Sequence, residues 1–93
     1  MADMLLEQVA TQLNILPEQL ERESLKVYLQ RNLRLIESEL FGLAQRYGVH
    51  NVTELDEKIQ QGAFHEKESF EDYFRFDHLE SERRKRLEIL ETL

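Results

Sequence analysis

Residues Pro17–Tyr47 read PEQLERESLKVYLQRNLRLIESELFGLAQRY, and within them Leu29, Leu33, Ile36, Leu40, Leu43 and Tyr47 recur at steps of four and three. That spacing lines an apolar row along one side of a helix. Leu25 extends the row one turn back, and Leu20, Leu35, Phe41 and Ala44 widen it, so the stripe is broader than a strict two-stranded coiled-coil seam. A single neighbouring helix does not cover such a face. At about 1.5 Å per residue the segment reaches roughly 45 Å, more than a small domain encloses. Part of this helix is therefore expected to meet a second chain or face water.

On the N-terminal side, Met4, Leu5, Leu6, Val9, Leu13 and Leu16 stand at helical spacing, which predicts a short amphipathic arm that ends near Asn14. Pro17 suits the first turn of the helix that follows, because its missing N–H costs nothing there, and Glu18 and Glu21 face the positive end of the dipole. The chain thus divides into an arm, residues 1–16, and a helical hairpin domain, residues 17–93. The arm either packs on its own fold or crosses to a neighbour.

On the C-terminal side, Gly48 is placed to close the long helix in the left-handed conformation. Thr53, with Asp56 three residues on, reads as the N-cap of a short helix over 53–61, and Gly62 marks its end. Leu55 and Ile59, with Val49 and Val52, are expected to plug the open end of a hairpin. Residues 63–68 read as a turn. Ser69 with Asp72 reads as the cap of a last helix from Phe70 to about Thr92. In that helix Phe70, Tyr73 and Phe74 cluster on one side, whereas Phe76, Leu79, Leu87 and Leu90 lie nearly opposite. Leu79, Leu87 and Leu90 are expected to face the long helix, with the stems of Arg83 and Arg86 along the seam. The resulting fold class is all-α: a long antiparallel helical hairpin with a short capping helix and an N-terminal helical arm, dimeric because 93 residues bury a modest core.

Composition narrows the function classes. The chain has no cysteine, one proline and three glycines, and 33% of it is charged. Disulfides and zinc–thiolate sites are excluded, and the composition suits helix and a cytoplasmic setting. No apolar run approaches the roughly 20 residues of a membrane span, and no basic segment precedes a secretory apolar core. The net charge of −7 is concentrated in residues 48–82, which hold ten acids against Lys58, Lys67 and Arg75, whereas residues 17–47 balance to zero. An acidic half suits a basic partner protein or plain solubility and disfavours nucleic acid. The basic run Arg83–Arg86 has Glu80, Glu82 and Glu88 one turn away, so it reads as a self-paired solvated face.

Candidate chemistry is sparse. His50, His65 and His78 sit near Glu66, Glu68, Asp72, Asp77 and Glu82, yet no pair shows the spacing that sets two metal ligands on one helical face, apart from His78 and Glu82 one turn apart. No catalytic residue, cofactor or metal is expected, and the chain reads as no enzyme.

The runs Leu16-Pro17-Glu18-Gln19-Leu20-Glu21-Arg22-Glu23-Ser24-Leu25, Arg46-Tyr47-Gly48-Val49, Glu54-Leu55-Asp56-Glu57-Lys58-Ile59-Gln60-Gln61-Gly62 and Ser69-Phe70-Glu71-Asp72-Tyr73-Phe74, in that order, resemble small all-helical prokaryotic antitoxin-like proteins encoded beside toxin genes. Where such relatives often carry tryptophan, this chain has Phe70, Phe74 and Phe76. The resemblance implies a proteinaceous antitoxin that binds and neutralises a toxin, a small nuclease being the expected target. By that analogy the partner is held through an acidic aromatic edge of Phe64, Phe70, Glu71, Asp72, Tyr73 and Phe74, or through the arm. The competing expectation is a structural protein whose apolar ridge serves homo-oligomerisation alone.

Overall fold

A computed structural model describes residues 2–65 and 67–93, with side chains from Met4 onward. Four helices follow in order: α1 (Ala2–Leu13), α2 (Pro17–Tyr47), α3 (Val52–Gln60) and α4 (Lys67–Glu91), with no strand among the described residues. α2 and α4 run antiparallel. Arg46 at the end of α2 reaches Asp72 near the start of α4, Glu37 meets Arg83, and Asn32, midway along α2, meets Arg86 near the end of α4. The result is a rod of 60 × 22 × 19 Å.

Three of the turns share one solution to the problem of unpaired carbonyls at a helix end. After α1, Asn14 takes φ 57°, its N–H bonds Thr11 O, and the Ile15 N–H reaches back to Ala10 O. After α2, Gly48 at φ 65° and Val49 bond Gln45 O and Ala44 O in the same pattern. After α3, Gly62 at φ 80° and Ala63 repeat it onto Ile59 O and Lys58 O. Each is a left-handed closure that satisfies two carbonyls at once. At Gly48 the Lys58 ammonium adds bonds to the carbonyls of Tyr47 and Gly48 at 3.1 and 3.2 Å, which ties α3 to the end of α2. A Cβ at residue 48 meets only that flexible ammonium, at 3.6 Å, so the cost of a side chain there is conformational. Gly48→Ala should destabilise the fold by about 1–2 kcal/mol, the left-handed penalty for an L-residue. Thermal unfolding followed by circular dichroism should show a midpoint several degrees lower.

The core follows the expected ridge at its C-terminal end. Leu43, Tyr47, Val49, Leu55, Phe76 and Leu79 form one buried cluster, and Ile36, Leu40, Val52, Ile59, Phe64 and Tyr73 pack against it. Leu29 and Leu33 continue the buried row along α2. Leu55 and Phe76, both fully enclosed, hold α3 and α4 to α2 at the closed end of the hairpin. Residues expected to widen the ridge behave differently. Leu20 and Ala44 are half-buried, whereas Leu25, Leu35 and Phe41 are exposed, because α4 and α3 cover only one side of α2.

Two helix starts differ from expectation. Asn51, not Thr53, caps α3: its Oδ1 accepts the Glu54 N–H at 2.9 Å, and Glu54 Oε2 accepts the His50 N–H at 2.7 Å. A third acceptor comes from far along the chain, where Glu80 of α4 takes the Val52 N–H at 2.9 Å. Three carboxylate or amide oxygens at this helix start outweigh the one hydroxyl of Thr53. α4 starts at Lys67, earlier than Phe70, and Ser69 lies inside its first turn, buried. Packing of that turn against the core end of α2 draws it into helix.

Candidate protein-binding surface

The acidic aromatic edge expected near the start of α4 is split by the fold into an inner and an outer half. Tyr73 packs on the core, and Phe64, in the α3–α4 connection, stands edge-on to Tyr47 with ring centroids 5.0 Å apart at 84°. Asp72 points the same way. Its Oδ2 accepts the Tyr47 hydroxyl at 2.5 Å and the Arg46 guanidinium at 2.8 Å, and Arg46 also reaches Glu68 at 3.4 Å. Burial raises the Tyr47 phenol from its ordinary 10.0 to about 12, reinforced by the hydrogen bond and negative charge of Asp72. The Asp72 hydrogen bond, and then its charge, raise Arg46 as well. The three side chains latch α4 to the end of α2.

Phe70, Glu71 and Phe74 make up the outer half. Phe70 and Phe74 stand one turn apart on α4, 45% and 68% exposed. Tyr73 holds the Phe74 ring edge-on, with centroids 5.3 Å apart at 76°. By helical angle Glu71 flanks the pair on one side and Asp77 on the other. Lys67, one turn before Phe70, lies on the same side by helical angle and pairs loosely with Glu71 at 3.9 Å. Arg75 is turned towards Glu39 of α2. The outer surface is thus two desolvatable rings in an acidic frame.

A second surface lies on the other flank of the hairpin. An open groove of about 880 Å³ runs between α2 and α4 and ends at the Gly48–Asn51 link. Leu40, Phe41, Ala44, Val49, Phe76 and Leu87 form its apolar lining. Its charged side chains are Glu37, Glu80, Arg83 and Arg84, two acids and two bases. Glu37 is paired with Arg83 at 3.2 Å, and Glu80 caps α3. Sequence reasoning missed this groove. The exposure of Phe41, 63%, is its signal in the structure, yet in the sequence Phe41 reads as one more residue of the ridge.

The histidines stay apart. His50 lies 3.2 Å from Glu54, whose carboxyl is held below its usual range mainly by the His50 backbone N–H. His78 lies 4.0 Å from Glu82, which the Arg86 hydrogen bond lowers in the same way. Glu66, one of the acids considered beside them, lies outside the described residues. Among the described residues no three His, Asp or Glu side chains converge as a metal set. No helix among them is long and apolar enough to cross a membrane.

No curated protein and no solved structure matches the chain in comparison. A family profile does match, over residues 1–93. A profile that spans the helical arm, both rods of the hairpin and the capping helix covers the whole architecture described above, and the chain belongs to the Uncharacterized protein MJ0235 family.

Proposed function

We propose that this chain is a non-enzymatic protein-binding module that acts in the cytoplasm and holds a basic partner protein on the outer face of α4. The observation that supports this most directly is the exposed pair Phe70 and Phe74, framed by Glu71 and Asp77 on a helix whose opposite side is latched to the core. Aromatic rings supply anchors that are desolvated on docking, and surrounding carboxylates steer a basic target and reject an acidic one. The latch keeps α4 rigid, so little ordering is lost on binding. The absence of cysteine suits a reducing compartment. The likeness to antitoxin-like proteins supports the finer reading, in which the partner is a toxin, a small nuclease, made from an adjacent gene and neutralised by occlusion of its basic surface.

Co-expression with the product of the adjacent gene tests this. The expected results are a complex that co-purifies, growth rescued from that product, and association that slows as salt is raised. Phe70→Asp together with Phe74→Asp should weaken the complex at least about thirtyfold, the equivalent of one hot-spot residue of roughly 2 kcal/mol, while helicity is kept because both rings are outside the core. Absence of a complex, or a complex indifferent to both substitutions, refutes the assignment.

A further inference from the structure

We infer that the groove between α2 and α4 is the seat of the α1 arm of a second copy of this chain, in a two-fold dimer whose long helices run antiparallel. α1 presents Leu5, Val9 and Leu13 at successive turns, all exposed, while Ala10 on another side is fully buried where α1 meets α2. The arm therefore has an apolar row that its own fold leaves uncovered. The groove is an apolar trough that its own fold leaves unfilled. Their lengths agree. Leu5 to Leu13 spans about 12 Å, and the groove wall from Glu37 to Gly48 about 16 Å.

The arm cannot seat itself in its own groove. Lying back along α2, the 12 residues of α1 reach about 18 Å from the Pro17 corner, whereas Glu37 begins about 30 Å away. Antiparallel pairing with a second copy removes the difficulty. The N-terminal end of one α2 then lies beside the groove end of the other, and both arms are seated by the same contact. One such seat is small against the roughly 1,200–2,000 Å² that specific complexes bury, and the two-fold repeats it.

Charge favours this occupant over the basic partner assigned to α4. The charged side chains of the groove cancel, two acids against two bases, so it offers a basic protein nothing to steer by. On the arm, the row Leu5, Val9 and Leu13 is bordered by Gln8 and Gln12, and the carboxylate of Glu7 lies on the opposite side by helical angle. Among the described residues the row thus meets the groove with no carboxylate facing it, as suits a second copy of a chain with net charge −7. Because the groove and the Phe70–Phe74 face are different surfaces, this inference stands whether or not a partner binds α4.

Sedimentation of the purified full-length chain, with nothing added, tests it. The expected mass is twice the 11.2 kDa of one chain. Val9→Asp and Phe41→Asp should each raise the dimer Kd roughly a hundredfold, since each change is felt twice across the two-fold, and leave far-UV circular dichroism unchanged. The native chain has no cysteine, so a Val9→Cys chain mixed with a differently tagged Phe41→Cys chain should give a disulfide between the two tags under mild oxidation. A monomer, a dimer untouched by both aspartates, or the absence of that mixed disulfide would each overturn the proposal.

Discussion

Phe76→Ala should remove about 3–5 kcal/mol from the unfolding free energy, the largest loss any single side-chain truncation here is expected to give. Phe76 is 1% exposed and stands where α2, α3 and α4 meet, packed with Leu43, Tyr47, Leu55 and Leu79. Truncation leaves a void among side chains carried by three different helices, Leu43 and Tyr47 of α2, Leu55 of α3 and Leu79 of α4, which relax into it only partly. Against a total of roughly 5–15 kcal/mol for a domain, that is a large share. Urea unfolding followed by far-UV circular dichroism reads it directly, with the slope unchanged if only the native state is affected. Phe74→Ala, two residues away and mostly exposed, is the internal control and should stay within about 0.5 kcal/mol. Equal losses at the two positions would mean that α4 presents a different face to α2.

Alkali should loosen the fold between about pH 10 and 12. The Tyr47 phenol is raised from 10.0 to about 12 in the folded chain, so across that window the native state holds a proton that the unfolded state has released. Stability then falls as pH rises, by on the order of 2–3 kcal/mol, because each tenfold difference in proton affinity between the folded and unfolded chain is worth about 1.4 kcal/mol. Above the window the buried tyrosinate faces the Asp72 carboxylate. Tyr47→Phe keeps the ring and its edge-on contact with Phe64 and loses the hydroxyl. At neutral pH it should cost about 1 kcal/mol, one hydrogen bond. At alkaline pH it should flatten the slope, because the group that titrates there is gone. If the Phe variant loses stability through this window as steeply as the wild type, the phenol is not the group responsible.

Exposed ion pairs are assigned a smaller role. Glu39–Arg75 and Glu37–Arg83 both span α2 and α4, yet each partner is about half exposed, and such pairs contribute roughly 0–1 kcal/mol. They accompany the antiparallel register. The apolar cluster and the Asp72 latch hold it.

Much of this architecture is legible in the residues alone, since local chemistry decides it. Pro17 opens a helix, Asn14, Gly48 and Gly62 close three, and the row from Leu29 to Tyr47 names the face of α2 that is covered. These outcomes depend on backbone preferences and a period of 3.6, which travel with the sequence wherever it folds. Other features were decided only in three dimensions. Asn51 and Thr53 are both able caps, and a carboxylate from α4, 28 residues away, helps select the first. Phe70, Tyr73 and Phe74 share one side of a helical wheel, but Tyr73 is drawn to the core and its neighbours are left outside. Phe41 belongs to the ridge by spacing and to a groove by position, because α4 covers α2 from one side only. A helix's period tells which side chains travel together. Which of them meet water depends on where the next helix lies, and that is set by packing between residues far apart in the chain.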